Sequence, residues 1–73
     1  MKTVEIFKTN IQNNKDADKI TTSLLSLYPI YLINFDLEDE ENILRIETHK
    51  FEIKTDEIIK YIIKRGYSCK LIK

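Results

Sequence analysis

The chain has 73 residues, 42% of them hydrophobic, which is enough for one small domain spanning residues 1–73 and too little for a second core. Twelve basic and twelve acidic residues cancel, so no net field draws nucleic acid or an anionic membrane. A single cysteine, Cys69, excludes an internal disulfide, and no stretch approaches about 20 apolar residues, so a soluble chain in the reducing cytoplasm is expected, with no signal peptide.

Residues 3–8, TVEIFK, alternate, with Val4 and Ile6 on one side and Glu5 and Phe7 on the other, as a strand requires. The polar run TNIQNNKDADKI follows. From its end, Ala17, Ile20, Leu24 and Leu27 recur at spacings of three, four and three, which places them on one helical stripe. Pro29 cannot continue that helix and turns Tyr28 away from helical geometry, so the helix stops near Leu27. IYLINFDL is rich in β-branched and aromatic residues and predicts a second strand.

Five acids then fall within the six residues from Asp36 to Glu41, and a solvated hairpin turn is the expectation. ILRIET is the third strand, with Leu44 and Ile46 inward, Arg45 and Glu47 outward, and room to extend through HKFEI. Thr55 is the expected N-cap of a second helix, and Asp56 and Glu57 complement its dipole. Ile58, Ile59, Ile62 and Ile63 supply its apolar face, Lys60, Lys64 and Arg65 its polar face, and Gly66 its left-handed stop. YSCKLIK is the last strand. The order βαββαβ predicts an α+β, ferredoxin-like sandwich of two helices on one four-stranded antiparallel sheet.

FKTNIQNNKDADKI, the INFDLED strand and turn, and EIIKYIIKRGYSCKLI together resemble the heavy-metal-associated domain of copper chaperones and metal-pumping ATPases. The resemblance runs from Val4 to Ile72 and implies the same fold. It also implies a Cys-x-x-Cys pair at the start of the first helix, where two thiolates hold a soft ion such as Cu(I). At the matching positions this chain carries Asn13 and Asp16, and neither is a soft ligand.

Asn is a good N-cap, and with Asn13 as cap Asp16 falls at the third helical position, where its carboxylate can return to the cap. Asn14 is a competing cap. A functional reading rests on topology, because the first loop, the acidic hairpin and the turn before the last strand share one end of this fold. Asn13, Asp16, Asp36, Glu38, Asp39, Glu40, Glu41 and Tyr67 would then form one rim, suited to a hard cation or to the basic surface of a protein partner.

Cys69 reads as a small residue packed against the sheet, and His49 as a surface residue at the opposite end. Hydrolysis of acyl phosphates would want an Arg or a glycine cradle in the first loop, whereas the arginines are Arg45 and Arg65. No nucleophile–base arrangement and no RNA-stacking aromatic pair is legible. The expected function is a non-enzymatic protein-interaction module linked to metal homeostasis, without a cofactor. The alternative is ion binding or transport through a non-standard ligand set near the first loop. No nucleic acid or membrane partner is expected, and the chain is expected to be a monomer or weak homodimer, with Lys70 and Lys73 as modest guards of the last strand.

Overall fold

Alternation at the N-terminus yields strand β1, Thr3–Thr9, in a computed structural model that describes residues 2–38, 40–49 and 52–72. Helix α1 spans Asn14–Leu27, strands β2 and β3 span Leu32–Asp36 and Ile43–Thr48, helix α2 spans Thr55–Lys64, and strand β4 spans Cys69–Ile72. The sheet is antiparallel in the order β2-β3-β1-β4, the ferredoxin-like arrangement anticipated from sequence. Asp39, Lys73 and the Lys50–Phe51 continuation of the third strand lie outside the described residues.

Register gives the sheet two unlike faces. On one face Phe7 pairs with Leu44, which also pairs with Phe35, while Ile46 pairs with Ile33. Ala17, Ile20 and Leu24 of α1 and Ile58 and Ile62 of α2 pack onto this face to form the core. Phe7, Leu24, Leu44, Ile46, Ile58 and Ile62 are fully buried, each contributing about 1.5–3 kcal/mol through removal from water. Among the described residues no helix packs on the opposite face, which carries Val4, Ile6, Arg45 and Glu47.

The helix faces are narrower than the apolar spacing implied. Leu27 is 56% exposed at the stripe's edge, whereas Tyr31 joins the core and Tyr28 packs against it. Ile63 is also exposed, lying about 100° round the helix from Ile62.

The helix ends show how local chemistry directs the chain. At the end of α1 the Tyr28 amide closes on Leu24, and Tyr31 N–H returns to Tyr28 C=O, a turn that contains Pro29. After α2, Gly66 adopts φ +97°. Its N–H bonds Ile63 C=O and the Tyr67 N–H bonds Ile62 C=O, the paired closure of a Schellman motif. The start of α2 departs from expectation. The first helical hydrogen bond runs from Ile58 N–H to Lys54 C=O, so Lys54 is the cap and Thr55 the first helical residue. An ammonium has no acceptor with which to cap, and no side chain does so there.

Candidate functional site at the first loop

Strand β1 delivers the chain to the first loop through Thr9, whose side chain is buried. Its hydroxyl donates to Asn42 C=O at 2.7 Å and accepts from Ile11 N–H at 3.1 Å. That single oxygen ties the first loop to the base of the β2–β3 hairpin. The Asn10 side-chain oxygen accepts from Ser68 N–H at 2.8 Å, tying the same loop to the segment before β4. The three connections therefore meet at one end of the molecule.

Asn13 is the cap of α1, in extended geometry, and Asn14 is the first helical residue. Asn13 Oδ1 accepts from Asp16 N–H at 2.8 Å. In return Asp16 Oδ2 accepts from Asn13 Nδ2 at 3.0 Å. The reciprocal cap thus forms through the Asn13 side-chain amide, and the Asp16 carboxylate does not turn back to the cap's backbone N–H. With Asn13 Oδ1 held by the Asp16 N–H, its Nδ2 is brought to the same residue's carboxylate. Tyr67, half-buried against the core, lies close enough to Asp16 to feel its charge. Burial first, then the nearby Asp16 carboxylate, pushes the Tyr67 phenol above its ordinary value.

The expected rim is divided in the structure. Asn13 shares an open cleft of about 520 Å³ with Gln12, Asn14, Asp36, Leu37 and Glu38. Asp16 turns instead toward Tyr67. Tyr67 lines a separate groove between the helices with Asp18, Lys19, Thr22 and Arg65. Glu40 and Glu41 are exposed further along the hairpin, where Glu41 C=O accepts from Thr9 N–H. Asp39 lies outside the described residues. Among the described residues, no three His, Cys, Asp or Glu side chains converge as a metal-ligand set.

The donors at the loop do not fit a soft ion. An amide and a carboxylate are hard ligands, and here they are bonded to each other. Cys69 offers no rescue at this site. It pairs with Thr9 in register and is buried, and that burial raises its thiol to about 11. His49 is exposed just after β3, at the far end of the sheet.

Asp16 and Tyr67, set on one rim in the sequence reading, lie close enough for the carboxylate's charge to reach the phenol. Sequence reading missed an aromatic closure at the opposite end. Tyr28 and Tyr31 stack with centroids 4.9 Å apart, and Tyr31 Oη accepts from Lys54 N–H at 3.1 Å. Tyr28 donates to Glu57 at 3.1 Å. No helix among the described residues is long and apolar enough to cross a membrane. No family model, curated protein or solved structure matches the chain.

Proposed function

We propose that this chain is a heavy-metal-associated-like domain whose metal loop has exchanged its thiolates for a helix cap, and that it works as a non-enzymatic protein-interaction module linked to metal homeostasis. The observation that carries this reading is the Asn13–Asp16 pair. Two side chains three residues apart, at the position the resemblance assigns to the thiolates, bond each other at 2.8 and 3.0 Å. The partner is a protein with a basic surface, met by the exposed acids Asp36, Glu38, Glu40 and Glu41, whose charge would mainly govern encounter rate and selectivity. A reducing, cytoplasmic setting suits the single buried thiol.

The test restores the thiolates. Asn13→Cys/Asp16→Cys is expected to gain one-to-one Cu(I) binding in native mass spectrometry while the parent, reduced and at the same concentration, has none. Tight binding by the parent that survives Cys69→Ser overturns the loss of function. A folded double-cysteine variant that gains no Cu(I) overturns the relation to metal-carrying domains.

A further inference from the structure

The uncovered sheet face has a regular layout set by register. Its first row runs Asp36, Ile43, Lys8, Lys70 across β2, β3, β1 and β4. The second runs Asn34, Arg45, Ile6, Ile72, and the third Leu32, Glu47, Val4. Half of this face is aliphatic, and Leu32 and Val4 are 53% and 41% exposed. Glu47 is already neutralised on the face, by Lys2 at 2.6 Å and Arg45 at 3.7 Å. Lys8 and Lys70 sit side by side, a like-charge pair that costs stability within one chain. Asp36 lies at the other edge, three strand spacings or about 14 Å away, too far to pair with Lys70 in the same chain.

We propose that this face binds a second copy of the chain, sheet against sheet, about a two-fold axis parallel to the strands. That axis exchanges the two edges while keeping the rows level. Lys70 of each copy comes to lie over Asp36 of the other, forming two symmetric ion pairs. Lys8 lies over Ile43, and Ile72 over Asn34. The β4 side chains of one copy enter the partner's depression of about 370 Å³ lined by Ile6, Asn34, Asp36, Ile43 and Arg45. Aligned packing of two sheets about 10 Å apart is a standard solution for such faces. The charge pattern is self-complementary under this axis, whereas a two-fold across the strands sets Asp36 over Leu32 and Lys8 over Val4. Three rows, the third lacking β4, make a small interface, so the dimer is weak, with a Kd on the order of micromolar or above.

Sedimentation equilibrium on the full chain tests this, with far-UV circular dichroism confirming the fold of each variant. A monomer–dimer equilibrium is expected, abolished by Ile6→Glu. Asp36→Lys and Lys70→Asp should each weaken it about tenfold or more. Each of these variants sets like charges opposite each other in its own dimer, yet mixing the two restores both ion pairs. The mixture should therefore dimerise at least as well as the parent, and so should the Asp36→Lys/Lys70→Asp double variant. Because Asp36 and Lys70 are exposed, the mixing result does not depend on how Ile6→Glu folds. A chain that stays monomeric at all concentrations, or single variants that fail to rescue each other, overturns the proposal. Binding of an acidic peptide to a strictly monomeric chain would assign the face to another partner and overturn it too.

Discussion

The two helices begin in chemically parallel ways that are closed by different means. Asp16, in the first turn of α1, lies beside Tyr67, which follows α2. Glu57, in the first turn of α2, is bonded by Tyr28, which follows α1. Each helix therefore has its opening carboxylate beside the tyrosine that follows the other, with a hydrogen bond at Glu57. At α1 this pairing is reinforced by the Asn13 side-chain cap, whereas at α2 the cap residue is Lys54 and its backbone N–H is held from afar by Tyr31. One helix start is secured within four residues, and the other by an aromatic ring 23 residues away.

If that comparison is right, the far end should be the more costly to disturb. Tyr31 is 4% exposed, and Tyr31→Ala is expected to destabilise the fold by about 3–5 kcal/mol, measured by urea unfolding. Tyr31→Phe should recover most of this and leave a deficit of about 1–2 kcal/mol from the lost acceptor at Lys54 N–H. An equal loss in both variants would mean that the hydroxyl, and not the ring, closes that end.

At the loop end, Thr9→Val keeps the shape of the side chain but orphans Ile11 N–H and leaves Asn42 C=O with the Thr9 N–H alone. A cost of about 2 kcal/mol is expected, with faster hydrogen exchange across residues 10–12. Asn13→Ala should cost about 1 kcal/mol, the usual value of an N-cap. A loss well above that would show that Tyr67 depends on the cap, and a double-mutant cycle with Tyr67→Phe would measure the coupling.

The smallest effect concerns both ends at once. Tyr28 is raised mainly by burial, then by its bond to Glu57 and that residue's charge, and Tyr67 is raised by burial and then by Asp16. A phenol raised in the fold above its unfolded value of about 10 contributes stability that is complete below that pH. The contribution is lost as pH rises through the folded value. Thermal melts between neutral pH and pH 11 should therefore show an alkaline decline, shallower in Tyr28→Phe and in Tyr67→Phe. A decline unchanged in both variants would detach it from these two residues.

The same contrast explains what could be read from sequence. The α1 cap was legible because its partners stand three residues apart, a spacing that is itself a signal. The strands themselves and the facing of Leu44 and Ile46 followed from period-two alternation. By contrast, the Thr9–Asn42 bond spans 33 residues and the Tyr31–Lys54 bond 23, and neither has a local signature. The cap of α2 was misplaced by one residue for the same reason. Thr55 has the right chemistry, but the remote tyrosine fixes Lys54 as the first half-helical residue. The acidic hairpin was legible as a turn, yet only the register shows that Asp36, beside Asn13 at the cleft, also borders the uncovered sheet face.

Cys69 sits at the start of a four-residue edge strand, facing the core. With its thiol raised to about 11, only on the order of one molecule in ten thousand carries a thiolate at pH 7. An alkylating reagent must then wait for β4 to peel from β1 before it can react. The labelling rate becomes a clock for that event, counting excursions of a single edge strand in the unmodified protein with no probe attached.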